Sequence, residues 1–558
     1  MDETHVLLDA RTPADTLVGA STASQFLHPA FAALGYDVTL FRLSGLALLV
    51  LSTVLLSIRA RHLVGILTDW RLGLSAQGLI AISLLGSMLY YFWFIRAPSY
   101  NLLIVVGTYL FTTLFLWVLE ANPETRLFSV RTACTGALWV FCLLVKFPSA
   151  FALLAIAGTT LVVWYNWSLR CVGLFVAHFT AGAAAALALY LTFMETPATL
   201  ITRVWGMVQL LQSPGFKSPP SGNLVRYLSQ SSHGLLDALG DFWPALACIA
   251  ISILTSLGLR DRDNAMRCIS IGFFVALVLF DGLAIRAGFY GWQFTVQDLF
   301  YFYLIATALL LMTIAGAALT NRRFNASGIQ PIGGRRLSVI LVVLFTIPLA
   351  AAFGTGNPIT VNALLAMGPW FIGTAILARI LSMQLQRSWI GPAVLVTLGA
   401  MACADTVSGA VHPYGIYASI FEQTERTELG LRGHSLKLDM GTSSYVRELR
   451  DMAGRGGLTA QSDVLFFYNS PGSVFVIGAH SPGFPWFFSE APEASTFVLA
   501  RVPRERLRRA YIMIDLQGPS PPPLSDFGLN FPADYDLVGE VLRRPIQHHV
   551  QLWRPRLP

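Results

Sequence analysis

Charge is scarce in this sequence. Only 12% of its 558 residues are Asp, Glu, Lys or Arg, about half the share found in soluble domains. That argues against a string of soluble domains. Cysteine is rare as well. Cys134, Cys142, Cys171, Cys248, Cys268 and Cys403 all fall in or beside apolar runs, and no pair has metal-site or redox-motif spacing. A disulfide framework is thereby disfavoured, and the six read as small buried hydrophobes. There is no internal repeat and no low-complexity tract, and the mostly polar first 38 residues do not read as a signal peptide. The net charge of +7 would suggest a nucleic-acid partner in a soluble protein. Here the basic residues stand singly or in pairs without interleaved aromatics, so no nucleic-acid surface is expected.

Apolar residues are abundant, at 54% of the chain with a mean hydropathy of +0.59. They come in blocks of bilayer-crossing length. Twelve candidate spans are read at 40–58, 78–95, 101–119, 131–146, 148–164, 171–194, 243–258, 268–286, 300–320, 337–354, 359–382 and 389–408. Alternate loops differ in charge. One set holds Arg59, Arg61, Arg126, Arg170, Arg260, Arg262, Arg267, Arg322, Arg323, Arg335, Arg336 and Arg387, and the other is sparse in positive charge. The positive-inside rule makes the first set cytoplasmic. The first 38 residues, the 195–241 loop and everything after about 409 are then expected outside the cytoplasm. Because Met1-Asp2-Glu3 opens abruptly on a polar segment, the expectation includes a first helix missing upstream.

After His412 the pattern changes. Val464–Tyr468, Val474–Ile477 and Tyr511–Ile514 read as short buried strands. Residues 443–455 and 503–509 read as helices, with Pro503 suited to a first turn. Pro519 to Pro523 reads as a stiff exposed loop. The fold class expected is a mainly α polytopic membrane bundle with a small C-terminal α/β domain, divided as 1–39, 40–409 and 410–558.

With acidic residues so few, their positions carry weight. Asp2-Glu3 opens an outer segment that runs through Phe26-Leu27-His28-Pro29 and Asp37 to Phe41-Arg42-Leu43 at the start of the first span. Arg96-Ala97-Pro98-Ser99-Tyr100-Asn101 lies between the second and third spans, and Lys146-Phe147-Pro148 between the fourth and fifth. An Arg at a span end suits a phosphate, while Tyr100 and Asn101 suit a sugar or phosphate oxygen. Interfacial anchoring is the plain alternative for this loop. Lys146, a positive charge at membrane depth, would neutralise a departing phosphate or simply snorkel. His28 is a candidate substrate contact or a structural histidine. Gly354-Thr355-Gly356-Asn357-Pro358 reads as a tight turn. Asp298 and Asp405 read as interfacial.

An adjacent Asp-Glu pair followed by an amphipathic segment that ends at a helix, together with this topology, resembles the GT-C glycosyltransferases. These polytopic enzymes take a sugar from a polyprenyl-phosphate carrier at the outer membrane face. They include protein mannosyltransferases and the lipid A aminoarabinose transferase. The resemblance implies an inverting hexosyl- or pentosyltransferase of the bacterial inner membrane, with its site and C-terminal domain periplasmic. It implies Asp2 as base with Glu3 beside it, and a lipid, glycan or protein acceptor. A carboxylate that removes the acceptor proton meets the chemical need, because the lipid phosphate leaves without acid assistance. No metal ligands are read, and the sequence leaves a divalent cation open. A transporter or flippase, and a non-catalytic envelope scaffold, are the rival readings. The first would require ionisable residues deep in spans and internal repeats.

Overall fold

The computed structural model describes residues 2–70, 72–93, 96–166, 168–212, short stretches between 229 and 311, 331–354, 359–384, 388–411, 418–429, 434–487, 489, 492–544 and 546–556. Two helices come first, α1 (Asp2–Arg11) and α2 (Ala23–Ala33). The bundle follows with α3 (Val38–Leu67), α4 (Ala76–Met88), the single turn α5 (Tyr90–Trp93), α6 (Tyr100–Leu119) and α7 (Arg126–Val145). It continues with α8 (Phe147–Trp164), α9 (Leu169–Phe193), α10 (Pro197–Leu211), α11 (Trp243–Gly258), α12 (Pro331–Ala352), α13 (Ile359–Ala363), α14 (Gly368–Gln384) and α15 (Ile390–Val411).

Among the described residues six helices are long and apolar enough to cross a bilayer, or seven if one bent pair counts as a single span. Ten of the twelve expected spans have a described helix over much of their length, although several of those helices are short or broken. The expected spans at 268–286 and 300–320 lie largely outside the described residues, as do Asp298 and residues 355–358. The span expected at 359–382 is bent by 73° between residues 366 and 368. At that break the backbone N–H of Gly368 donates to the Tyr109 hydroxyl at 3.0 Å. The donor freed by the bend thus has a partner inside the bundle.

Helix starts follow local chemistry. Asp37, Ser99, Thr125 and Thr196 each cap the following helix by accepting a backbone N–H. Of the six long apolar helices, α6 has the most buried apolar window, at 78%, and α9 the least, at 17%. α7 and α9 meet through glycine. A Cβ at Gly136 or Gly182 would stand 2.0 or 1.9 Å from a backbone oxygen of the other helix. Such close approach is how helices gain contact where lipid removes the hydrophobic drive.

The C-terminal region opens with the hairpin β1 (Glu425–Leu429) and β2 (His434–Leu438), followed by α16 (Met440–Arg455). β3 (Val464–Phe467), α17 (Pro471–Val476), α18 (Pro492–Leu499), α19 (Arg504–Arg509), β4 (Tyr511–Asp515), β5 (Tyr535–Arg543) and β6 (His548–Pro555) complete it. The sheet order is β3-β4-β6-β5, with β3 and β4 parallel and the other neighbours antiparallel. The strands expected at 464–468 and 511–514 are found as Val464–Phe467 and Tyr511–Asp515, and they form the parallel pair.

Two expectations need correction. Val474–Ile477 is not a strand: Val474 to Val476 belong to α17, started by Pro471 at its first turn. The segment before the first span is not an open loop, because α1 buries Val6, Leu7, Leu8 and Ala10, and α2 buries Leu27 and Phe31. Asp405, read as interfacial, is 4% exposed, and its Oδ2 accepts from the Tyr303 hydroxyl at 3.2 Å.

Candidate functional site

The first 37 residues act as a strap between the bundle and the C-terminal region. At its start, Glu3 in α1 meets the first span and the 96–101 loop. Its Oε1 accepts from Arg42 Nε at 2.8 Å and from the Ala97 backbone N–H at 2.9 Å, and its Oε2 accepts from Arg42 Nη2 at 2.7 Å. This bidentate pairing fixes the carboxylate's orientation as well as its position. Arg96 is half-buried beside the pair. Burial above all, and then the charge of Arg42, lower its pKa, while Glu3 raises it. Two guanidiniums therefore share one nearby carboxylate.

The rest of the loop is ordered by α6. Ser99 caps that helix at Leu102 and shares a hydrogen bond with the Tyr90 hydroxyl at 3.2 Å. Tyr100 is exposed at its first position, while Asn101 is buried. Asp2 opens α1, and its side chain lies outside the described residues. Glu3, Arg96 and Tyr100 are thus gathered at one end of the bundle, with Arg42 added to them. Sequence reasoning placed Arg42 at the start of the first span without giving it a role. The available signal was a cation one turn inside an apolar helix that starts just after the Asp-Glu segment.

Lys146 stands where α7 gives way to α8. Its Nζ donates to the Ala351 carbonyl at 2.7 Å, and Ser149 donates to Ala351 and Phe353, both at 3.1 Å. The ammonium therefore complements the C-terminal end of α12. The strap runs close by, with Ser21 donating to the Val145 carbonyl and Thr22 to Leu144. No described contact joins Lys146 to Glu3 or Arg96. His28 stays within the strap, its Nδ1 2.9 Å from the Ala10 carbonyl.

Further along, long-range ionic contacts hold the strap. Arg203 of α10 pairs with Glu195 through Nε and Nη2, both at 3.0 Å, and its Nη1 donates to the Gly19 and Ser21 carbonyls. Asp15 accepts from Arg506 at 2.7 Å and faces His480 Nδ1 at 2.7 Å, while Arg506 also grips Asp463. Burial pushes the Asp15 carboxyl up, but hydrogen bonds from His480 and Arg506 outweigh it and hold the pKa below the usual aspartate value. Thr16 and Gly483 form a β-bridge beside this cluster. None of Asp15, Arg203, His480 or Arg506 was singled out in the sequence. The two contacts of Asp15, with His480 and Arg506, join residues 465 and 491 positions apart.

Among the described residues no group of three or more His, Cys, Asp or Glu side chains is placed to hold a metal ion. No family model, curated protein or solved structure matches this chain.

Proposed function

We propose that this multi-pass membrane protein is a glycosyltransferase that moves a sugar from a polyprenyl-phosphate carrier to an envelope acceptor. In this reading the bundle has twelve spans in the bacterial inner membrane, and transfer takes place at its periplasmic end. The observation that carries the reading is the junction of Glu3 with Arg42, Ala97 and the Arg96 loop. An acidic N-terminal turn beside two arginines at span ends is a charge arrangement that suits a lipid-borne phosphate. Arg96 would hold the donor phosphate, since guanidinium matches phosphate geometry bidentately. Tyr100 would contact the sugar.

Glu3 accepts three hydrogen bonds, so in this scheme it orients the segment. The acceptor proton would pass to Asp2. That proton transfer accompanies attack of the acceptor oxygen on the anomeric carbon, the bond to the carrier phosphate breaks, and the phosphate leaves with the electron pair. The test is sugar transfer from a labelled polyprenyl-phosphate donor in membranes. Asp2→Asn should lower turnover about 10²–10⁴-fold, the range for losing a general base, and Arg96→Ala should chiefly weaken donor binding. Full activity in Asp2→Asn and Glu3→Gln alike would remove the catalytic assignment.

The transporter reading draws on one observation, the burial of Asp405 against Tyr303 within a span. Substrate-dependent ion flux in liposomes that is lost in Asp405→Asn would favour it.

A further inference from the structure

The far end of α1 borders a separate cleft. Glu3 and Arg11 are eight positions apart on this helix, about 12 Å of rise. Between the strap and the C-terminal region lies a cavity of about 230 Å³, whose lining includes Arg11, Tyr36, His434, Gln461, Phe475 and His480. That volume is below the usual range for a drug-sized ligand, about 300–1,000 Å³. It suits a single polar group and the first atoms attached to it.

Arg11 is the unusual member. It is 9% exposed, and its guanidinium donates to the Phe475 carbonyl at 3.2 Å and to the Ala479 carbonyl while lying 5.0 Å from the Phe475 ring centre. Among the described residues no carboxylate stands within ion-pairing distance of it. The nearest acid in its field, Asp15, is already engaged by His480 and Arg506. A buried cation satisfied only by neutral carbonyls is costly, and an anion entering the cavity would offset that cost. Burial lowers the Arg11 pKa to about 10, with Asp15 and Tyr36 acting in the opposite direction. Asp37 is likewise committed, since it caps α3 and faces His434 at 3.2 Å. With His480 Nδ1 held by Asp15, its Nε2 is the nitrogen left for a ligand. Val38, the first residue of the first span, is also part of the lining. The cleft therefore adjoins the N-terminal end of α3.

We infer that this cleft binds a phosphate or carboxylate group, held by Arg11 with Tyr36, Gln461 and His480. The site is independent of sugar transfer and stands or falls separately from it. The anion is either soluble or the headgroup of a membrane lipid.

The test uses the full chain in phosphatidylcholine nanodiscs, with the thermal midpoint followed during titration with inorganic phosphate or with a short-chain prenyl phosphate. A saturable rise with either probe is expected, because a ligand that binds only the folded state stabilises it. A rise with inorganic phosphate assigns a soluble anion, and a rise with the prenyl phosphate alone assigns a lipid headgroup. Arg11→Gln risks the fold, so the decisive variant is Gln461→Glu at the exposed rim, which should weaken binding about tenfold or more by adding a like charge. No saturable rise with either probe would overturn the inference. So would a rise that Gln461→Glu leaves unchanged while Arg96→Ala abolishes it.

Discussion

The two ends of the helical bundle use arginine in different ways. At one end Arg131 lies 4.2 Å from the Trp117 ring centre, and Arg61 and Arg336 each lie 5.0 Å from Trp70 and Trp164. Arg59 pairs with Glu120 across neighbouring helices. These are contacts between sequence neighbours or adjacent spans, and cations stacked on tryptophan suit a membrane boundary. At the other end Arg42, Arg203, Arg11 and Arg506 fasten the strap to the first span, to α10 and to the C-terminal region. One end stacks much of its positive charge on tryptophan. The other uses it to assemble chain segments around polar sites. The difference teaches that net charge, read loop by loop, does not give a residue's role.

If that contrast is right, substitutions at the two ends should differ in size. The largest stability loss is expected for Arg203→Ala. It removes one partner of a pair whose side chains are 6% and 3% exposed, and it leaves Glu195 buried with, among the described residues, only the Tyr190 hydroxyl donating to its carboxylate. Loss of such a partner costs about 3–5 kcal/mol, to be read by denaturant or thermal unfolding in detergent. A loss below about 1 kcal/mol would mean that the strap is not held as described.

Asp15→Asn should cost less, about 1.5–3 kcal/mol, the scale of hydrogen bonds to a charged group. Its pH dependence is specific. The folded-state pKa of Asp15 is depressed, so its contribution is present above the ordinary aspartate value near 3.9 and is lost as pH falls through the lower folded value. The gap in unfolding midpoint between parent and Asp15→Asn should therefore narrow below about pH 4. A gap constant down to pH 2 would contradict the ion-pair account. The smallest effect is expected at the tryptophan end, where Arg131→Ala should cost only about 0.5–1 kcal/mol. A loss there equal to that of Arg203→Ala would erase the distinction between the ends.

Much of the bundle was legible because a span is a local property. Tyr100–Leu119 and Leu169–Phe193 are long apolar runs bounded by capping or basic residues, and no tertiary knowledge is needed to read them. Short apolar runs were less informative. Val464–Phe467 and Val474–Val476 look alike, yet one is a strand and the other a helical turn. Four apolar residues fit either period, and Pro471 ahead of the second run was the missed signal. The strap was misread because its few buried apolar residues, Val6, Leu7, Leu8 and Ala10, follow no amphipathic period on a helix that also carries Asp2, Glu3, Asp9 and Arg11. Its buried face exists only once the C-terminal region is in place. The same holds for the candidate site. Glu3, Arg96 and Tyr100 could be picked out by residue type at span ends. Arg42 as the partner of Glu3, and Arg506 as that of Asp15, follow from tertiary structure alone.

The proposal that the polar sites face the outside is tested most directly by labelling single cysteines in spheroplasts with a membrane-impermeant maleimide, in a background without the six native ones. Met440 in the C-terminal region is 76% exposed, and the side chain of Glu124 at the tryptophan end is 62% exposed. Met440→Cys should label in intact spheroplasts and Glu124→Cys only after permeabilisation. Labelling of Glu124→Cys from outside while Met440→Cys stays protected would contradict the account.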